Sequence, residues 1–291
     1  MLDLIIFFYD LIIIGLEKIL KLVTFCPPHS KTYTIINKNI VLFLDESSLK
    51  DAQNSKMECF SDYYNEELPI LYIKPSSCHN ICIIYSHGNS SDLGSSFSAY
   101  KFIAEKTNCI VLGYEYPGYG HCKNKNKTEV QFLNHIKLAY YYVKNELKID
   151  NIILLGFSLG TGISFDLACE EDCQIKGLIL LAPYLSILRT YKYINDNNTY
   201  YFDMFDSVDK AKYLKCKTII LHGNKDTFIS YQDGEHLAKK IEEYSKNENI
   251  FHLIDGATHK TILKNDETFK KINEFIAKVC PEISKKLNCV N

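Results

Sequence analysis

Asn151-Ile152-Ile153-Leu154-Leu155-Gly156-Phe157-Ser158-Leu159-Gly160-Thr161-Gly162 is the stretch on which the reading of this chain turns. Four consecutive large aliphatic residues make a buried strand, too short a run for a helix. Gly156-Phe157-Ser158-Leu159-Gly160 follows at once, and Thr161 to Cys169 can continue as a helix. This is G-x-S-x-G between a strand and a helix, where a serine occupies a sharp, strained turn with its hydroxyl exposed. Glycine is needed on both flanks because a Cβ there would collide with the neighbouring strand or helix. The pattern alone is insufficient, since chance would produce it in roughly one chain in twenty-five at ordinary glycine usage. A glycine-rich structural turn is the competing reading. Partners elsewhere in the chain must decide between the two.

Working outward, short apolar runs alternate with helical stretches on both sides. Strands are expected at Thr32–Ile36 and Ile40–Leu44 (a hairpin), Leu68–Ile73, Ile81–Tyr85, Cys109–Tyr114, Gly177–Leu181, Thr218–Leu221 and Ile250–Ile254. Helices are expected at Ala99–Lys106, Asp233–Tyr244, about Glu267–Val279, and from Thr128 to about Leu147. The Thr128-x-x-Gln131 pattern reads as a capping box opening the last of these. Strand and helix in alternation predict one α/β domain with a mostly parallel sheet covered on both faces.

In such a sheet, functional groups gather outside the carboxyl ends of the strands. The distinctive polar clusters fall there: His87-Gly88-Asn89, Ser158, Asp226 and His259. Serine is a weak nucleophile until a base takes its proton, and the base needs a carboxylate to orient it. Ser158, Asp226 and His259 offer nucleophile, acid and base in the chain order of α/β-hydrolases. Each has a plainer alternative. His259 could cap the following helix, and Asp226 could be a turn aspartate, with Asp203, Asp206 and Asp255 as rival acids. His87 and His222 read as structural strand-end histidines. An oxyanion hole would take one backbone N–H from Leu159 and a second from the His87-Gly88-Asn89 loop, assigned to Asn89.

Composition narrows the function classes. A net charge of −2 in 291 residues gives no electrostatic footprint for nucleic acid. Eleven cysteines without a C-x-x-C pair fit free thiols in a reducing compartment better than a disulfide framework. No metal or cofactor is implied: there is no Walker motif, no G-x-G-x-x-G and no H-E-x-x-H.

The N-terminus is the unusual part. Leu4 to Val23 is nearly all apolar, with Asp3, Asp10, Glu17 and Thr24 spaced seven apart on one helical stripe. Asp10 and Glu17 disfavour a full span. The stretch suits an amphipathic helix in the membrane interface, and a core helix docked on the domain is the alternative. The expected organisation is therefore residues 1–28 as a membrane-associating helix and 29–291 as one catalytic domain. Within it 183–215 forms a cap-like insert whose Tyr184, Tyr191 and Phe202 could bind substrate or simply pack.

The chain resembles the alpha/beta-hydrolase domain-containing protein 17 family, within the wider Bem46-like serine hydrolases. The matching segments are Phe25-Cys26-Pro27-Pro28 with Thr32-Tyr33-Thr34, Tyr85-Ser-His-Gly-Asn-Ser-Ser-Asp-Leu-Gly94, Tyr114-Glu-Tyr-Pro-Gly-Tyr-Gly120, Leu155-Gly-Phe-Ser-Leu-Gly-Thr161, Leu221-His-Gly-Asn-Lys-Asp226 and Gly256-Ala-Thr-His259. The resemblance implies a membrane-attached enzyme on the cytosolic face that removes palmitate from protein cysteines, with Ser158, Asp226 and His259 as its triad. A lipid or small-ester hydrolase using the same triad, or a membrane-tethered, non-catalytic binding protein on this fold, are the alternatives. Two departures stand out: only Cys26 lies near the front, where that family carries a cysteine cluster, and His121 to Lys127 replaces a small Ser/Gly-rich loop.

Overall fold

The computed structural model describes residues 15–16, 18–21, 24–36, 39–42, 55–61, 67–122, 124–190, 202–245 and 250–281. Ten strands among them form one sheet: β1 (Tyr33–Ile36), β2 (Asn39–Leu42), β3 (Ser55–Ser61), β4 (Glu67–Ile73), β5 (His79–Ser86), β6 (Cys109–Tyr114), β7 (Ile152–Phe157), β8 (Gly177–Leu181), β9 (Lys217–Gly223) and β10 (Phe251–Ile254). Their order is β1-β2-β3-β4-β6-β5-β7-β8-β9-β10. The six strands from β6 to β10 pair in parallel, and β1 to β4 extend the β6 edge antiparallel. The expected α/β architecture with a mostly parallel core is what forms.

Strand alternation divides the core into two layers. Ile152 and Leu154 of β7 face one cluster, and Ile153 and Leu155 face the other. The first layer is closed by α2 (Glu129–Tyr141), α3 (Leu159–Cys169) and α6 (Tyr231–Tyr244) through Phe132, Ile163 and Leu237. The second is closed by α1 (Phe97–Thr107) and α7 (Asp266–Val279) through Tyr100, Phe269 and Ile272. Burial on both faces explains why β7 and β8 read as unbroken apolar runs.

Three local expectations change. β3 lay outside the sequence reading because Ser-Lys-Met-Glu-Cys-Phe-Ser carries no aliphatic run. Its seven-residue register with β4, from Ser55↔Ile73 to Ser61↔Glu67, is a tertiary gain that propensity does not encode. The Thr128 box forms by half: the Thr128 hydroxyl accepts the Gln131 N–H at 3.3 Å, but the Gln131 carboxamide turns away to accept Asn124 Nδ2 at 2.7 Å. The helix expected to reach Leu147 is α-helical only to Tyr141 and widens into one π turn over Tyr142–Glu146.

The N-terminal helix expected over Leu4–Val23 lies largely outside the described residues. Residues 15, 16, 18–21 and 24 are helical. Leu20, Thr24 and Phe25 are buried, whereas Leu16 and Ile19 are exposed. No helix among the described residues is long and apolar enough to cross a membrane. Of the 183–215 insert, two short α-helices are described, α4 (Ile187–Thr190) and α5 (Ser207–Lys210), the second running into a 3-10 turn over Ala211–Tyr213.

Candidate active site

Ser158 stands at the junction of β7 and α3 with φ 53° and ψ −120°, a conformation sparsely populated by side chains other than glycine. Such a residue costs on the order of 1–3 kcal/mol and persists only where its surroundings over-determine it. Here they do. The Ser158 N–H donates to the Leu181 carbonyl at 3.0 Å, and its carbonyl accepts the N–H of Thr161 at 2.8 Å. A Cβ on Gly156 would sit 2.4 Å from the Gly160 carbonyl oxygen, and one on Gly160 would sit 2.1 Å from the Ser86 carbonyl oxygen. One flank meets the helix and the other the neighbouring strand, the reason anticipated for both glycines.

The loops after β9 and β10 bring two more groups to this turn. His259 Nε2 lies 3.1 Å from Ser158 Oγ, and His259 Nδ1 lies 2.7 Å from Asp226 Oδ2. A carboxylate only accepts, so the imidazole proton sits on Nδ1 and leaves Nε2 to accept the serine hydroxyl. The rival acids are elsewhere. Asp203 accepts the N–H groups of Leu188 and Met204, Asp206 pairs with Arg189 at 2.7 Å, and Asp255 accepts from Asn224.

Asp226 is held from both oxygens. Oδ1 accepts the N–H groups of Phe228 at 2.8 Å and Ile229 at 3.0 Å. Oδ2 faces, besides His259, the ring of His222, whose Nε2 is 3.4 Å away. Burial works against charge on Asp226, yet the hydrogen bonds from His222, His259 and the Ile229 N–H outweigh it. They hold the carboxyl well below the usual carboxylate range. His222, read from sequence as structural, is thus part of the acid's surroundings. Its Nε2–H donates to the Ile229 carbonyl, 3.1 Å away, and the same nitrogen lies 3.4 Å from the Asp226 carboxylate. The i, i+4 spacing of His222 and Asp226 across a tight turn was the available signal.

A cavity of about 580 Å³ opens over Ser158, inside the 300–1,000 Å³ range of small-ligand sites. Gly88, Asn89, Ser90 and Ser91 line it from the β5 loop, Phe157 from the serine turn, Phe228 and Leu263 from the loops around Asp226 and His259. Phe228 is 72% exposed and its ring centroid is 5.0 Å from that of His259, an apolar group offered to whatever enters. Asn89 therefore reaches the site as expected of its loop. Leu159 opens α3, where a first-turn N–H has no intrahelical acceptor.

Of the aromatic insert, the described residues take the packing alternative. Tyr184 is absent from the cavity lining because it is buried in the core, its hydroxyl donating to the Leu159 carbonyl at 3.3 Å. Phe202 packs on the same core cluster. Tyr191 lies outside the described residues. No group of three or more His, Cys, Asp or Glu among the described residues is placed to hold a metal ion.

This strand order, with its loops at the carboxyl ends, is the α/β-hydrolase fold, and the family model for that fold matches residues 83–210. Among solved structures, an esterase of Pyrococcus furiosus superposes with a TM-score of 0.65 at 16% identity, covering 87% of this chain and 97% of its own. Est1E of Butyrivibrio proteoclasticus, bound to ferulic acid, superposes with a TM-score of 0.57 at 19% identity over 76% of this chain and 97% of that one.

Within the fold, the expected resemblance to the 17 group is borne out by curated relatives. Alpha/beta hydrolase domain-containing protein 17C of Xenopus tropicalis is 29% identical over 220 residues, 74% of this chain and 67% of that protein. The human 17B protein is 26% identical over 271 residues, 89% of this chain and 91% of its own length.

Proposed function

We propose that the chain is a serine hydrolase whose triad is Ser158, His259 and Asp226, and that its substrates are fatty-acyl thioesters on protein cysteines. The observation that carries the triad is the continuous relay of 3.1 Å and 2.7 Å from hydroxyl through imidazole to carboxylate. His259 Nε2 takes the Ser158 proton as Oγ attacks the acyl carbonyl. The Nδ1–H and the ionised Asp226 stabilise the imidazolium that forms. Backbone N–H groups of Leu159 and Asn89 receive the developing oxyanion, a contribution of about 10²–10³ in turnover per donor. The imidazolium protonates the departing thiolate. Water then adds to the acyl-enzyme with His259 as base, releasing the fatty acid and restoring the serine.

The acyl-thioester part rests on the resemblance to the 17 group, supported by the apolar contacts that Phe157, Phe228 and Leu263 offer at the site. The esterase neighbours in fold favour a second reading, hydrolysis of lipid or small esters by the same residues. An intact relay argues against a purely binding role.

Work at the cytosolic face of a membrane is part of the same proposal. Its support is the apolar N-terminal stretch, which keeps Leu16 and Ile19 exposed next to the docked Leu20. Because Leu20, Thr24 and Phe25 are buried, removal of residues 1–14 is the cleaner test, and it should shift the protein from the membrane to the soluble fraction. For the chemistry, a fluorophosphonate probe should label the wild type and not Ser158→Ala. Side-by-side turnover of a palmitoyl-cysteine peptide and a monoacylglycerol then separates the two substrate readings. Absence of labelling and of both turnovers overturns the hydrolase.

A further inference from the structure

The loop that brings Asn89 to the cavity is fastened to a segment more than fifty residues earlier. Asn89 spends its side chain on this: Nδ2 donates to the Thr24 carbonyl at 2.5 Å, and Oδ1 accepts the Cys26 N–H at 3.0 Å and the Tyr119 hydroxyl at 2.6 Å. Three residues on, Asp92 accepts the Thr32 N–H at 3.1 Å and the Thr32 hydroxyl. Leu93 donates to Glu115 Oε2 at 3.2 Å, the same oxygen that accepts the Tyr33 hydroxyl at 2.6 Å. The loop is therefore tied at Asn89, Asp92 and Leu93 to residues 24–33 or to a carboxylate shared with them, beside the tie at His87, whose carbonyl accepts the Tyr116 hydroxyl at 2.7 Å.

The segment is itself anchored independently. The Phe25 ring stacks on Phe132 at 4.8 Å, Lys127 Nζ donates to the Phe25 carbonyl at 3.3 Å, and His121 Nε2 lies 2.7 Å from the Tyr33 carbonyl. A Cβ on Gly94 would sit 2.3 Å from Thr32 Oγ1, so the two backbones meet with no room for a side chain between them. None of residues 24–33 lines the cavity. Yet the loop they hold passes directly over the nucleophile: a Cβ on Gly88 would be 3.9 Å from Ser158 Cβ and 3.2 Å from the Phe157 ring. With clearance that small, a shift of the loop is felt at Ser158.

We infer that residues 24–33, through Asn89, Asp92 and Glu115, are positioning residues for the oxyanion hole. The role rests on the serine-hydrolase reading above. Asn89 then serves twice, its backbone N–H toward the oxyanion and its carboxamide toward residues 24–33, the strap. The strap continues directly from the apolar N-terminal stretch, so whatever holds that stretch also bears on the loop. Misplacement of an oxyanion donor by about 1 Å costs roughly a hundredfold when the contact exists only in the transition state. The loss should fall on kcat and leave KM nearly unchanged.

The test uses the full chain and p-nitrophenyl butyrate, with Asn89→Ala and the milder Tyr33→Phe, which removes one hydroxyl at a residue absent from the cavity lining. Expected are a fall in kcat of tenfold or more for each, KM within twofold, and amide hydrogen exchange at residues 87–93 faster by tenfold or more. Thermal unfolding of Tyr33→Phe identifies any general loss of fold. Unchanged exchange in the 87–93 loop of folded Tyr33→Phe overturns the inference whatever the activity, and so does a wild-type kcat in folded Tyr33→Phe. A wild type that neither turns over the ester nor labels with fluorophosphonate overturns the hydrolase reading, and this role with it.

Discussion

His222 offers a quantitative probe of the site, because its ring touches Asp226 without touching Ser158. Replacement by leucine keeps the bulk similar and removes the Nε2–H that the Ile229 carbonyl accepts and that lies 3.4 Å from the Asp226 carboxylate. A hydrogen bond to a charged group contributes about 1.5–3 kcal/mol, and the 3.4 Å contact with Asp226 contributes at most the low end of that span. An orphaned buried carbonyl adds about 1–3 kcal/mol. Against this stands a gain: His222 Nδ1 is buried with no partner, and leucine removes that unsatisfied atom as well. The net destabilisation should be about 1–3 kcal/mol, read from urea unfolding.

Activity should fall by more than the folded fraction does. With one of two side-chain donors gone from Oδ2, the carboxylate is freer to rotate about the N–H groups of Phe228 and Ile229, and its hold on His259 Nδ1 loosens. Loss of about 1.4 kcal/mol of orientation corresponds to tenfold in kcat. Glutamine can present an amide N–H where Nε2–H stood, so His222→Gln should recover most of kcat while His222→Leu does not. If folded His222→Leu turns over ester at the wild-type rate, His222 is packing only and the account of how Asp226 is oriented is wrong.

Other outcomes follow from the same geometry. Asp226→Asn exchanges an acceptor for a group that can donate, favouring the wrong His259 tautomer, and kcat should drop by about 10³–10⁴ with little change in KM. Because the Asp226 carboxyl is held below its unfolded value of about 3.9, its contribution to stability is present above that pH and is lost as pH falls through the depressed folded value. The stability gap between wild type and Asp226→Asn should therefore hold from neutrality to about pH 5 and close on further acidification, followed by urea unfolding at each pH. Gly160→Ala drives a Cβ into the Ser86 backbone, where no side chain can yield, and should cost about 3 kcal/mol or leave no soluble protein. Phe228→Ala removes an exposed ring at the cavity; kcat/KM for a long-chain ester should fall several-fold while a two-carbon ester is little affected.

How far such a site can be read from sequence depends on where each contact draws its partners. Buried parallel strands announce themselves, because both faces are apolar; Cys109–Tyr114 and Gly177–Leu181 carry the same limits in sequence and structure. Ser158, Asp226 and His259 were legible because each follows such a strand, and the sheet brings successive carboxyl ends together. β3 was not, since its seven pairs are made by β4 rather than by its own composition. Tyr184 and Phe202 stayed undecided in sequence for a related reason: an aromatic-rich segment has no period to say whether its rings face a cavity or the core.

The strap over residues 24–33 is the extreme case. Its partners Asn89, Asp92 and Glu115 stand 60 to 82 positions away, and no local pattern in Phe25-Cys-Pro-Pro or Thr32-Tyr marks them. These segments carried part of the resemblance before any reason for them was visible. Their hydrogen bonds supply one: a motif remote from the chemistry in sequence holds the loop that the chemistry needs held. A substitution in the strap is thus expected to act on turnover before it acts on binding.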